Sequence, residues 1–371
     1  MGAQMLMDNI LVTIGIATYN GERFLAEALN SALNQTHNKL EIIIYNDASN
    51  DNTEIILNQF TDKRVKVITG TENKGVSFAR QKIKECAKGE YLTWLDDDDT
   101  FELNRVESLL CFSIENNVDI VIDHYKFIDE QNKFLLNSHI PAHQTQDKNF
   151  TRLFERNFMP AHPLISKKCY TNIDYDISLR TSEDYDYWLK CSYAGYSFKQ
   201  IAGCFLNYRV TKGSLSSDPE KSKQATKIIL SKYQNEELIQ LYKSRGLELY
   251  CNKLACLHYI FNKNYALAKL YAKSPWPTEQ NSDLAFYKGT LHLNFGEYSD
   301  SFFELSRHLE KFPDSISGKN NMGVLLKRMG KEHRHLWLDA VSNFDGYKDA
   351  ISNLNGIEKI TWTQINKSKL R

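Results

Sequence analysis

Residues 89–99 read Gly-Glu-Tyr-Leu-Thr-Trp-Leu-Asp-Asp-Asp-Asp, and no other stretch narrows the choice of fold as much. Residues 91–95 form a short apolar run rich in aromatic and β-favouring side chains, the pattern of a buried strand. Asp96, Asp97, Asp98 and Asp99 follow with no spacer. Four adjacent carboxylates repel one another and suit neither a strand nor a core, so a positive partner is expected among them. An acidic cluster where a buried strand stops is where an open α/β sheet binds ligands, outside the carboxyl ends of its strands. Hard oxygen ligands suit Mg2+ or Mn2+, ions that usually take substrate phosphate as further ligands. The plainer alternative is a solvated acidic turn that caps the next helix.

The flanking sequence supplies the rest of such a sheet. Residues 11–17 predict a first strand, Thr18-Tyr19-Asn20-Gly21-Glu22 a turn, and Phe24, Leu25, Ala28, Leu29, Ala32 and Leu33 a helix by their spacing. A second strand is expected over 40–45, a turn at Asn46-Asp47-Ala48-Ser49-Asn50-Asp51, a helix over 53–60 and a third strand over 65–68. Gly75 opens a helix with Val76, Ala79, Ile83 and Ala87 on one face. Continuous apolar strands alternating with helices predict a parallel sheet covered on both faces, joined by right-handed crossovers. Beyond the aspartates the pattern predicts a helix over 103–114, a strand over 120–122, a hairpin within 125–136 and a polar loop over 139–148. A helix then begins at Thr181-Ser182-Glu183-Asp184, and strands are expected over 198–201 and 204–210.

A length of 371 residues favours two domains. Residues 1–9 read as a leader, 10–218 as the α/β domain and 219–371 as an all-α domain, with the polar, Ser-rich stretch 211–223 at the junction. In the tail, Gly289 and Gly323 recur at an interval of 34 residues, as do Gly296 and Gly330. That is the period of the tetratricopeptide helix pair, and residues 284–298 resemble its first helix and turn; a plain helical bundle is the alternative. Lys plus Arg equals Asp plus Glu at 46 each, which offers no broad basic face and argues against nucleic-acid binding. Seven scattered cysteines with no Cys-x-x-Cys pair point to reduced thiols in a cytoplasmic protein. No apolar run reaches the length of a membrane span, so any membrane association is expected to be peripheral, at the inner face.

Five motifs in the first domain, in order, resemble those of the family 2 glycosyltransferases, whose fold is called GT-A. They are Thr18-Tyr19-Asn20, Asn46 to Asp51, Asn73-Lys74-Gly75 with Ala79-Arg80, Leu95 to Asp99, and Glu183-Asp184 with Trp188. The resemblance covers residues 10–215 and stops short of the tail. Asn46 stands where many relatives carry a first aspartate.

The resemblance implies a role for each motif. Asp47 accepts the imide N–H of uracil, while Thr18, Tyr19, Asn20 and Glu22 shape the nucleotide-sugar pocket. Arg80 faces the nucleotide end of the site. Asp96 and Asp98 match the family's Asp-x-Asp, with Asp98 the firmest metal ligand, Asp96 helping directly or through the sugar, and Asp97 beside them. Asp184 is the general base for the acceptor hydroxyl. Its place at a helix start lowers its pKa, so another influence must keep it basic. For Thr181 with Asp184 the competing reading is a capping box. Glu183, Trp188, Arg209 and His162 are candidates for contacts with acceptor or diphosphate, and Gly213-Ser214 matches the family's ending. The implied reaction is inverting transfer from a nucleotide sugar, a UDP-sugar given Asp47, to a hydroxyl of a glycan or lipid-linked acceptor in surface polysaccharide synthesis, with Mn2+ or Mg2+. The C-terminal helices would hold acceptor or protein, or self-associate. Two other readings stay open: a sugar-nucleotide nucleotidyltransferase, which would need a Gly-rich phosphate loop that residues 18–22 lack, and a non-catalytic scaffold.

Overall fold

The computed structural model describes residues 7, 9–138, 153, 157, 159–211, 219–233, 240, 248–261, 263–274, 281–343, 348–356 and 358–360. Most of the expected leader, the loop over 139–148 and Gly213-Ser214 lie outside them. The chain forms two compact units, Met1–Ile229 and Leu230–Arg371.

In the first unit the strands are β1 (Val12–Thr18), β2 (Leu40–Asn46), β3 (Val65–Thr69), β4 (Tyr91–Trp94), β5 (Thr100–Phe101), β6 (Ile120–Ile128), β7 (Phe134–Asn137), β8 (Leu164–Ser166) and β9 (Phe198–Arg209). They make one sheet in the order β3-β2-β1-β4-β8-β6-β9-β5, with β7 paired to β6. The first four strands are parallel, as their unbroken apolar sequences predict. The register pairs Thr18 with Asn46 and Asn46 with Thr69, so the carboxyl ends of β1, β2 and β3 come level.

The second half of the sheet departs from uniform parallel pairing. β8 enters antiparallel between β4 and β6, and β5 pairs antiparallel with β9. Three residues behind His162-Pro163 are too few to show a period, which is why β8 has no sequence signature. The two strands expected over 198–201 and 204–210 are one, β9; Gly203, at φ 121°, sits where the register shifts between them. The expected hairpin is β6 with β7.

Helices α1 (Leu25–Leu33), α2 (Thr53–Leu57), α3 (Val76–Cys86), α4 (Arg105–Asn116), α5 (Lys167–Tyr170) and α6 (Glu183–Tyr193) belong to this unit. Leu25, Ala28, Leu29 and Ala32 of α1 pack on Val12, Ile14 and Ile16, the alternate residues of β1 that share one face. Each fully buried leucine there contributes about 1.5–3 kcal/mol. On the opposite face Gly15 leaves the space that Trp94 and Ile83 of α3 fill, and a Cβ would collide with both.

Helix α7 (Pro219–Ser231) spans the division between the units. The described residues after it hold α8 (Glu248–Phe261), α9 (Tyr265–Lys273), α10 (Asn281–Asn294), α11 (Tyr298–Lys311), α12 (Ile316–Arg328), α13 (Arg334–Asn343) and α14 (Lys348–Leu354), and no strand. Successive helices pack in pairs around one core that includes Phe286, Leu305 and Trp337. The glycines at the 34-residue interval hold equivalent places. Gly289 lets α10 close on Leu305 of α11, and Gly323 lets α12 close on Trp337 of α13. Gly296 and Gly330 follow the first helix of each pair in the left-handed conformation, at φ 75° and 69°.

Candidate active site

The loops at the carboxyl ends of β1 and β2 are laced together. The backbone N–H groups of Asn20, Gly21 and Glu22 donate to Ser49, Thr53 and Asp51, while Asn20 Oδ1 and Glu22 Oε2 accept from the N–H groups of Asn50 and Asn52. Asn20 and Ala48 take left-handed backbone, φ 57° and 59°, a costly conformation for a non-glycine residue that clusters at ligand sites. Of the pocket residues named from sequence, Asn20 and Glu22 thus hold the loops in shape, Tyr19 is exposed, and Thr18 is buried with its hydroxyl donated to Asp97 Oδ2 at 2.5 Å.

Asp47 is buried, and its carboxylate accepts the N–H of Lys74 at 2.9 Å and of Gly75 at 2.7 Å. It ties the end of β2 to the start of α3, where Gly75 adopts φ 89°. One turn further, the buried Arg80 joins the two acidic segments: Nη1 donates to Glu183 Oε1 and Nη2 to Asp96 Oδ1, each at 2.9 Å. This guanidinium is the positive partner that the aspartate run requires. Its burial opposes its charge, but Asp96 and Glu183 outweigh that and raise its pKa. For Asp96 burial acts upward, yet His162 and Arg80 prevail and hold the carboxyl well below its ordinary range. Its neighbours go the other way. Burial lifts Asp97 to about 7 against the hydrogen bond from Thr18, and burial together with Asp96 lifts Asp98 to about 6.

Asp184 follows the Arg80–Glu183 pair. Burial raises its pKa despite Arg80, which is the influence that the sequence leaves unnamed. Burial also carries Glu183 up to about 7. The capping box, the competing reading for Thr181 and Asp184, does not form. The residue before α6 is Ser182 in left-handed backbone at φ 59°, with no side-chain cap, and Asp184 Oδ1 accepts the N–H of Tyr185.

Two expected ligand contacts are placed elsewhere. Trp188 is fully buried in the core, edge-on to Tyr187, and presents no surface to an acceptor. Arg209 is committed to its own chain: its N–H donates to Asp99 Oδ1, Nε to the Asp98 carbonyl, Nη1 to Asn132 and Nη2 to Glu27, with the guanidinium over Phe24. It braces the aspartate loop where a diphosphate contact is expected from sequence. Alternation along β9 turns its side chain to the opposite face from that of Tyr208.

His162, in contrast, reaches the acidic centre. Its Nε2 lies 3.1 Å from Asp96 Oδ2 and 3.4 Å from Asp99 Oδ2. Ligand atoms of Asp96, Asp99 and His162 all fall within 4.8 Å of one another. Asp99 Oδ2 and His162 Nε2 are buried and, among the described residues, have no partner beyond these close contacts with each other and with Asp96, which leaves room for a further group to complete their bonding. Two carboxylates with one imidazole could together hold a divalent metal ion, with oxygen ligands of the kind that Mg2+ and Mn2+ take. The structure brings Asp99 rather than Asp98 to this cluster; nothing in a run of four identical residues distinguishes it beforehand. A second acidic group in the tail, His292 with Glu297 and Asp300, already holds the ammonium of Lys269 on Glu297.

Residues 13–173 match the family described as Glycosyl transferase family 2. An uncharacterized glycosyltransferase of Methanocaldococcus jannaschii is 31% identical over 212 residues, which span 55% of this chain and 72% of that one. The Escherichia coli UDP-Glc:alpha-D-GlcNAc-diphosphoundecaprenol beta-1,3-glucosyltransferase WfgD is 25% identical over 238 residues, 64% of this chain and 91% of that protein. Among solved structures, S. aureus TarS 1-349 in complex with UDP-GlcNAc aligns over 94% of this chain and 92% of its own, with a TM-score of 0.55 and 15% identity, a likeness of fold. Among the described residues no helix is long and apolar enough to cross a membrane.

Proposed function

The chain belongs to the family 2 glycosyltransferases, and from that premise we propose that it is an inverting enzyme that moves a sugar from a UDP-sugar to a hydroxyl of a glycan or lipid-linked acceptor in the synthesis of a cell-surface polysaccharide. The observation that carries this reading is Arg80 bonded at once to Asp96 and Glu183. It sets an acid expected to face the donor beside the helix start that carries Asp184, the half-buried carboxylate expected to take the proton. WfgD, named for a UDP-Glc donor and a diphosphoundecaprenol-linked acceptor, supports the choice of both substrate classes.

Asp47 accepts the uracil imide N–H. Thr18, Tyr19, Asn20, Glu22 and Asp97 line the nucleotide-sugar pocket, and Arg80 orients Asp96 toward it. Asp96, Asp99 and His162, with Asp98 alongside, would hold the divalent ion, Mn2+ or Mg2+. When bound, that ion supplies Lewis-acid neutralisation of the leaving diphosphate. Asp184 removes the proton from the acceptor hydroxyl as its oxygen attacks the anomeric carbon in line. Attack opposite the leaving group inverts the anomeric centre, through an oxocarbenium-like transition state. Burial keeps Asp184 basic, and its bond to the Tyr185 N–H orients it. The paired helices of the tail are read as tetratricopeptide-like repeats that serve the acceptor or assembly.

The test is UDP or GDP release from a panel of UDP- and GDP-sugars, with Mn2+ and with chelator, in the presence of a GlcNAc-diphosphate lipid. UDP-sugar turnover that requires Mn2+ or Mg2+ is expected. Turnover of GDP-sugars alone, or full activity in excess chelator, overturns the donor or the metal assignment respectively.

A further inference from the structure

Behind His162 lies a buried ion pair with no part in the chemistry above. Arg105, in the first turn of α4, and Asp123, on β6, are both almost completely inaccessible. Arg105 Nε and Nη2 donate to Asp123 Oδ2 and Oδ1 at 3.0 and 2.9 Å, the bidentate arrangement. The guanidinium does not stop there. Nη2 also donates to the His162 carbonyl at 2.5 Å, and Nη1 to Thr93 Oγ1 at 3.1 Å; that hydroxyl in turn donates to the same carbonyl at 3.2 Å. Two donors therefore converge on one peptide oxygen. His162 precedes Pro163, which already restricts its backbone to extended conformations. With that carbonyl pinned, the imidazole hangs from a fixed point and reaches Asp96 and Asp99 through its own two side-chain torsions.

We propose that Arg105 and Asp123 are a positioning pair: by anchoring the His162 carbonyl they hold its imidazole against Asp96 and Asp99, and so set the affinity of this cluster for a divalent cation. The inference rests on the reading of Asp96, Asp99 and His162 as cation ligands. A buried ion pair of this kind is a poor source of stability, because desolvating both charges offsets their attraction. Orientation of a ligand residue gives it a role that packing alone does not. Partners of metal ligands typically change metal affinity about 10–100-fold when removed.

The experiment is titration of the full chain with Mn2+ by calorimetry, with and without UDP, for wild type, Arg105→Lys, Asp123→Asn and His162→Ala. Arg105→Lys keeps a charge but not the fork that serves Asp123 and the carbonyl together, and Asp123→Asn removes the partner that aims it. Both are expected to weaken Mn2+ binding about 10-fold, while metal-free UDP affinity stays unchanged, a split that a general loss of structure does not produce. Where either single variant fails to fold, Arg105→Met with Asp123→Leu removes both charges at similar volume and carries the same expectation. If His162→Ala binds Mn2+ like wild type, the cation reading itself is wrong. If His162→Ala loses affinity but the folded Arg105 and Asp123 variants keep it, the cation reading stands and the positioning pair is refuted.

Discussion

Asp184→Asn separates the base from the binding site. The amide keeps the carboxylate's shape and can still accept the Tyr185 N–H through its oxygen. Arg80 donates to Glu183 and Asp96, not to Asp184, so the substitution leaves that junction intact. What is lost is proton acceptance. A positioned general base is worth roughly 10²–10⁴ in rate, or about 2.7–5.4 kcal/mol of barrier. The burial that raises the Asp184 pKa makes it a stronger base than an exposed aspartate. The assay is transfer to a GlcNAc-diphosphate lipid at saturating UDP-sugar, with UDP-sugar affinity measured in parallel and expected to stay within a few-fold. The pH profile gives a second readout. Asp184 acts only when ionised, so the wild-type rate falls as pH drops through its raised pKa, and the Asn variant lacks that limb. Transfer by Asp184→Asn at the wild-type rate, with the acid limb intact, refutes the assignment and makes Glu183 the next residue to test.

Glu183 gives a stability prediction. Its folded pKa, near 7, lies above the ordinary value, so the proton is held more tightly in the folded chain. Its contribution is complete below about 4.5 and is lost as pH rises through about 7. Glu183→Gln should therefore gain stability relative to wild type between pH 5 and pH 8 in thermal unfolding, and a constant difference contradicts the shift. For the tail, a chain ending after Ser231 should keep Mn2+-dependent UDP binding and slow donor hydrolysis, but lose acceptor affinity or change its oligomeric state in light scattering. No change in acceptor affinity, rate or oligomeric state removes the repeats from the reaction.

The parallel half of the sheet was legible because β1, β2 and β4 are continuous apolar runs that end in Asx-rich turns, and the helices between them carry clear apolar faces. The mixed half was not, since β8 is three residues long and β5 two, too short for any period. A positive partner was expected among the aspartates, and Arg80, with both the acids it bonds, lies in motifs visible beforehand. Arg209 and Trp188 were visible as motif residues, but which way a side chain leaves its element depends on register and packing. Arg105 and Asp123 gave no warning, because each is an ordinary residue of its element until the fold closes them over His162. The helix pairs of the tail announced themselves through glycine spacing, since close packing at Gly289 and Gly323 leaves no room for a side chain and the left-handed turns at Gly296 and Gly330 favour glycine.

The most direct test of inverting transfer from a UDP-sugar needs no acceptor. The chain is incubated with Mn2+ and an α-linked UDP-sugar that it turns over slowly, and NMR follows the configuration of the sugar first released to water, before mutarotation. In-line attack opposite the diphosphate predicts that the β anomer appears first; release of the α anomer first contradicts it.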